Sequence, residues 1–265
     1  WGAPLIAREL ESGTYRLAWT QSVTHTRWLA VKVGVIGLAS MAVAGLLSLM
    51  VTWWSALFDR VALSPFATFD ERDIVPIAYA ALGFALGVTV GVLIRRTVPA
   101  MAITAVAFVA IRLAVVLWVR PNFAPARHLK VPDTLYLFGR PSTGSPNPSD
   151  WITSVQTVNR AGRVIGQNGF IPGSGVRFAA GGHGITVGGV GSCPDIRVPL
   201  SPGQAGFSPG PYVERCFNQL GIHDVLTYQP ASRYWAFQWY ELAIFIALAL
   251  LLVGLCFWWV RHRLA

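Results

Sequence analysis

Two ionisable residues sit where ionisation is expensive. Arg112 and Glu241 each interrupt a long apolar run, and a charge at such depth in a bilayer must face a partner or a water-filled cavity. Arg112 lies eight residues before Arg120, and Glu241 eight after Arg233. At about 1.5 Å per residue, each stands about 12 Å below the nearer end of its run. Equal depth makes an Arg112–Glu241 pair the expectation, with a structural ion pair and a substrate or gating role both open. Elsewhere the chemistry is thin. His128, His183 and His223 are scattered, without the H-x-x-x-H or C-x-x-C spacing that sets metal ligands on one face. Asp150, Asp195 and Asp224 could in principle join a histidine and a serine, but any chain of this size offers such triples. Gly181-Gly182-His183-Gly184 fits a tight turn between strands better than an oxyanion loop. No enzymatic constellation emerges.

The elements that carry these residues are apolar. Four runs exceed the roughly 20 residues needed to cross a bilayer: Trp28–Trp54, Ile74–Ile94, Val98–Val119 and Tyr234–Val260. Arg8, Arg16, Arg27, Lys32, Arg95, Arg96, Arg261 and Arg263 fall on one side if the first run goes outward. The short Ser55–Asp73 loop on the other side carries Asp59, Asp70, Glu71 and Asp73 against Arg60 and Arg72. Because positive residues mark the cytoplasm, both visible termini are expected inside and residues 121–233 outside. Trp53, Trp54, Trp118, Trp235, Trp239, Trp258 and Trp259 form an interfacial belt. Within the second run Gly83, Gly87 and Gly91 recur every four residues, a spacing that lets helix backbones approach closely. The partner is another span of this chain or a second copy.

Composition agrees. Hydrophobic residues make up 54% and charged ones 12%, with a mean hydropathy of +0.50. A soluble domain carries about a quarter charged residues. The net charge of +9 does not signal nucleic acid, since the basic residues flank apolar runs rather than forming a stripe on a soluble fold.

The expected division is therefore a cytoplasmic segment over residues 1–27, three spans over 28–120 (28–54, 74–94 and 98–119), an outer domain over 121–233, and a last span with its tail over 234–265. In the outer domain, the part through Pro141–Pro148 is rich in turn formers and is expected to be a stalk or long loop. Trp151–Val158, Gly175–Ala179 and Gly184–Val190 carry short β-branched pieces expected as strands, and Glu214–Gly221 as a short helix. Cys193 and Cys216 are the two cysteines outside, which suits a disulfide in an oxidising compartment; two free thiols are the alternative. Cys256 falls within the last span as a small packing residue.

The most specific stretch precedes the first span. Arg8, Glu9, Glu11 and Arg16 alternate with Leu10, Leu17 and Trp19, a mixture that can lie in the headgroup region. Gly13 and Thr14 offer a helix break followed by an N-cap. Glu11-Ser12-Gly13-Thr14, then Leu17–Thr24, then Arg27 and Lys32 entering a span, resemble the coupling region of ABC-2 type transporter permeases, closest to those of actinobacteria. The resemblance is specific over Arg8–Lys32 and architectural elsewhere. It implies an α-helical multi-pass membrane protein, an ABC-2 or type V exporter-like bundle, with a small β-rich extracytoplasmic domain.

Such permeases have six spans, with the coupling helix between the second and third. The chain opens at Trp1, and Trp1–Ile6 look like the tail of an apolar segment, so two upstream spans are expected beyond it. The resemblance implies the membrane subunit of an ATP-driven exporter of a drug-like or lipid-like compound in a bacterial plasma membrane. Arg8, Glu9, Glu11, Gly13, Thr14 and Arg16 would then contact the ATPase. Its implied partners are a cytoplasmic ABC ATPase dimer, a second or homologous permease copy and the lipid bilayer. No phosphate-binding G-x-x-x-x-G-K-[S/T] is present, so ATP and Mg belong to the partner and this chain needs no cofactor. The rival reading is a membrane-anchored sensor or assembly factor whose outer domain binds a ligand or protein.

Overall fold

The computed structural model describes residues 25–59, 64–94, 96–131, 147, 149–167, 176–178, 184–187, 196–199 and 218–263. The chain divides into two units, residues 1–124 with 232–265, and residues 125–231.

The first unit is helical. Helices α1 (His25–Asp59), α2 (Val75–Ile94), α3 (Thr97–Ala114) and α4 (Tyr234–Arg263) contain the candidate spans Ala30–Ala56, Val75–Ile94, Thr97–Asn122 and Ala231–His262. Each is long and apolar enough to cross a membrane. Helix α2 is the central one, packing against α1, α3 and α4, and its Val75, Ala78, Leu82 and Val88 are fully buried. Apolar side chains on the other helices point outward, among them Leu49, Met50, Val106 and Leu251. Lipid is the solvent that makes such a surface stable.

Lipid supplies no hydrophobic drive between helices, so close packing and internal hydrogen bonds must hold the bundle. A methyl group added to Gly37 of α1 would meet the Phe84 ring of α2 at 3.1 Å, and one on Gly45 would meet Ile77 at 3.5 Å. These glycines let α1 lie against α2. Around that contact Phe84, Val88 and Val92 pack with Cys256 and Val260 of α4. The Gly83–Gly91 stripe lies inside the chain: a methyl group added to Gly83 would meet the Phe108 ring of α3 at 3.8 Å, and Gly87 and Gly91 are buried.

Helix α3 ends irregularly. A π-helical turn, Val115–Val119, follows it, and a 3-10 turn, Arg120–Asn122, closes it. The Arg120 amide donates to the Val115 carbonyl, five residues back. Pro121 gives a reason: in a regular helix its ring would crowd the carbonyl four residues earlier, and it has no N–H to donate. A widened turn relieves that conflict.

The second unit is β-rich. Strands β1 (Arg127–Val131), β2 (Trp151–Val158), β3 (Val164–Gln167), β4 (Val176–Phe178), β5 (Gly184–Val187), β6 (Ile196–Pro199) and β7 (His223–Gln229) form two antiparallel sheets, ordered β1-β7-β2-β3 and β4-β5-β6. Strand β7 alternates with period two, burying Asp224 and Leu226 on one face. Between β2 and β3 the Asn159 carboxamide oxygen accepts from the amides of Ala161 and Arg163, and Gly162 supplies a positive φ of 74°. The loop expected up to residue 148 contains a strand after all. Arg127–Val131 pairs along its whole length with Asp224–Tyr228, because the β7 edge supplies ladder bonds that local composition does not reveal.

Candidate functional site

The conspicuous chemistry lies at the end of the bundle where α1 ends, α2 and α4 begin, and α3 finishes. Four ionisable side chains and a tyrosine converge there from three helices and the loop before α2. Glu241 of α4 is fully buried. Arg120 grips it with a bidentate fork, Nε donating to Oε2 and Nη2 to Oε1, each at 2.8 Å. This planar geometry is the strong form of an arginine–carboxylate pair. The Tyr79 hydroxyl of α2 lies 2.6 Å from Glu241 Oε1 and 2.9 Å from Asp70 Oδ1.

Asp70 joins the remaining members. Its Oδ1 accepts from Arg120 Nη2, and its Oδ2 lies 3.4 Å from Arg112 Nη2. The Arg112 guanidinium also stacks over the Tyr79 ring at 4.8 Å, and that of Arg120 over the buried Phe69 ring at 4.4 Å. Such cation–π contacts gain strength where water is excluded. Burial alone would push the Asp70 carboxyl up, but its bond to Arg120 and the Arg120 charge, with help from Tyr79 and Arg112, hold it below the usual carboxylate range. Asp70 is thus charged at neutral pH. The cluster balances: Asp70 and Glu241 against Arg112 and Arg120.

The α3 irregularity brings the two arginines to one carboxylate. At about 100° per residue, positions eight apart stand roughly 80° apart around a regular helix. The extra residue taken up in the wide turn reduces that to roughly 20°. Arg112 and Arg120 therefore both reach Asp70.

The loop itself is clamped. Ser64 caps its 3-10 turn, accepting from the Phe66 amide. Asp73, at a left-handed φ of 62°, has its amide bound to Thr52 Oγ1 at 3.0 Å and its carbonyl to Ser48 Oγ at 2.7 Å. The Asp73 carboxylate takes Arg72 Nε at 3.2 Å and the Tyr234 hydroxyl. Gln238 completes the clamp: its Oε1 accepts from the Val75 amide, and its Nε2 donates to the Phe69 carbonyl and the Tyr234 hydroxyl. An unpaired backbone group at such depth would cost free energy comparable to a lost hydrogen bond, so this polar shell allows the loop to sit among the helix ends.

Sequence reasoning paired Arg112 with Glu241. The structure brings both into one cluster but gives each a different charge partner: Asp70 for Arg112 and Arg120 for Glu241. The reason is reach. Arg120 snorkels from the helix end onto both Glu241 oxygens, and the loop lowers Asp70 to Arg112. Asp70, Tyr79 and Arg120 do not stand out in the sequence: Asp70 lies in an acidic loop, Tyr79 inside an apolar run and Arg120 just past the end of one. Pro121 was the available signal, since it marks a helix end that cannot be regular.

Asp150 and Asp224 have structural partners in the second unit. Asp150 accepts from the amides of Asn147 and Ala231, and Asp224 accepts from Thr157 Oγ1 at 2.7 Å. Arg8, Glu9, Glu11, Gly13, Thr14 and Arg16, and the cysteines Cys193 and Cys216, lie outside the described residues.

Residues 1–120 match a family model described as ABC-2 membrane transporter related. Nothing among the curated proteins and nothing among the solved structures matches the chain. The matched residues take in residues 1–24, helices α1, α2 and α3, and the π-helical turn up to Arg120. Over that segment, less than half of the chain, the protein is similar to an ABC-2 transporter-related membrane domain.

Proposed function

We propose that this chain is the membrane-spanning subunit of an ATP-driven exporter that moves a drug-like or lipid-like compound outward. The observation that carries the reading is the family match over residues 1–120. It takes in the segment Arg8–Thr24, whose mixture of charges, Gly13 and apolar anchors suits an element docked on a partner. ATP and Mg would sit on a cytoplasmic ATPase dimer, and a second or homologous permease would complete the path. Both visible termini would be cytoplasmic and residues 121–233 outside, in the plasma membrane of a bacterium. In that orientation the Asp70–Arg120–Glu241 cluster ties three helices together at the outer mouth. Force delivered at the cytoplasmic side must rearrange those contacts before the outer end can open.

A second reading, a membrane-anchored sensor or assembly factor, draws on the separate unit 125–231, which lies beyond the matched residues. Affinity purification in neutral detergent separates the two. The exporter reading expects a stoichiometric companion bearing a G-x-x-x-x-G-K-[S/T] sequence. Recovery of the chain from its native membrane without such an ATPase contradicts it.

A further inference from the structure

We propose that Arg112, Arg120 and the Tyr79 hydroxyl form an oxyanion-binding site for a membrane amphiphile, and that Asp70 occupies this site in the resting molecule. The binding claim stands on the cluster alone; the further claim that the bound amphiphile is the exported compound rests on the exporter reading.

Asp70 and Glu241 are unequal members of the cluster. The Glu241 side chain is 0% exposed and rooted in a helix, whereas Asp70 is 27% exposed and comes from a loop. Asp70 places its two oxygens as the oxygens of a phosphate or carboxylate headgroup would be placed, one toward Arg120 and Tyr79, the other toward Arg112. Withdrawing Asp70 leaves Arg112 and Arg120 against Glu241 alone. The excess is one positive charge in a low-dielectric setting, which a singly charged oxyanion neutralises.

Access favours an amphiphile over a free anion. The Arg112 side chain is 38% exposed, and its neighbours along α3, Val109 and Leu113, are exposed apolar residues. A headgroup could therefore reach the arginines with its chain left among lipid tails. The π-helical turn supports a functional geometry, since such turns recur at functional sites and this one is what lets both arginines face one acceptor. Arginine suits the task because its guanidinium stays charged and binds oxyanions through paired donors.

The test titrates decyl phosphate, inorganic phosphate and decyltrimethylammonium into the purified full chain in neutral detergent, with bound ligand read by native mass spectrometry. Because Asp70 competes for the site, removing it raises apparent affinity by the reciprocal of the open fraction. Asp70→Asn is expected to bind decyl phosphate at least about tenfold tighter than wild type, and Asp70→Asn/Arg112→Gln to lose that gain. Inorganic phosphate should bind about tenfold or more weakly than decyl phosphate, for want of apolar burial. Equal binding by wild type and Asp70→Asn, or equal binding of the cationic amphiphile, overturns the proposal. Inorganic phosphate matching decyl phosphate overturns its assignment to an amphiphile. If Asp70→Asn is not monodisperse, wild type against Arg112→Gln carries the test, and undiminished decyl phosphate binding by Arg112→Gln overturns it. No step requires ATP or transport, so failure here is distinct from failure of the exporter reading.

Discussion

Arg120→Met should be the most damaging single substitution in the bundle, and Glu241→Gln made alongside it should repair much of the damage. In the native chain both Glu241 oxygens are held by Arg120 at 2.8 Å, and the side chain has no exposure to water. Methionine fills much of the arginine's volume but leaves a buried carboxylate with the Tyr79 hydroxyl as a remaining donor. Breaking one side of a buried pair costs about 3–5 kcal/mol, whereas replacing both partners is often nearly neutral. The double variant should therefore cost at least about 2 kcal/mol less than the sum of the singles, roughly a thirtyfold difference in the unfolding equilibrium. The assay is equilibrium unfolding in mixed micelles, titrating a denaturing detergent into a neutral one and following tryptophan fluorescence for wild type, both singles and the double. Additivity within about 0.5 kcal/mol would mean that the residues act independently, and the reasoning would be refuted.

Three further outcomes follow from other contacts. Gly37→Leu should lower stability by about 1–3 kcal/mol in the same titration, because the first added carbon already meets Phe84 at 3.1 Å; an unchanged midpoint would show that α1 is not held there. Burial pushes the Asp224 carboxyl up, against the Thr157 bond and the nearby His223. The neutral acid is therefore favoured in the fold: its contribution is complete below the unfolded value and is lost as pH rises through the folded one. Melting temperature of the β-rich unit's transition should fall with rising pH in wild type and vary less in Asp224→Asn, and identical slopes would contradict this. Cys193 and Cys216 are expected to be bridged, closing a loop worth about 3 kcal/mol in the chain-entropy model; mass mapping under non-reducing conditions that finds both as free thiols would end that idea.

The spans were legible because lipid demands long apolar runs, and Trp28–Trp54 or Ile74–Ile94 satisfy that demand without tertiary information. The family resemblance was legible for a different reason: it resides in a contiguous stretch, Arg8–Lys32, and the match over residues 1–120 includes it. The charge cluster was legible only in part. Arg112 and Glu241 stand out as isolated charges, but Asp70 looks like any loop carboxylate until the loop is seen clamped by Ser48, Thr52 and Gln238. Arg120 looks like a flanking base until the π-helical turn rotates it toward Glu241. Both facts depend on tertiary geometry and on one proline. In the β-rich unit, β2 shows itself through Trp151–Val158, whereas β1 is defined by the strand beside it. Arg127-His128-Leu129-Lys130-Val131 has a polar composition that propensity alone leaves open.

The central claim is that an ATPase drives this membrane domain through the segment Arg8–Thr24. Its most direct measurement compares substrate-stimulated ATPase rate with vesicle uptake, in the reconstituted complex, for wild type and for Glu9→Lys, Glu11→Lys and Gly13→Trp. The account predicts that the variants insert and retain the ATPase, yet uptake falls at least about tenfold relative to ATP hydrolysed, since the docked element no longer transmits the motion. Unchanged uptake per ATP in all three variants, with normal ATPase association, would contradict it.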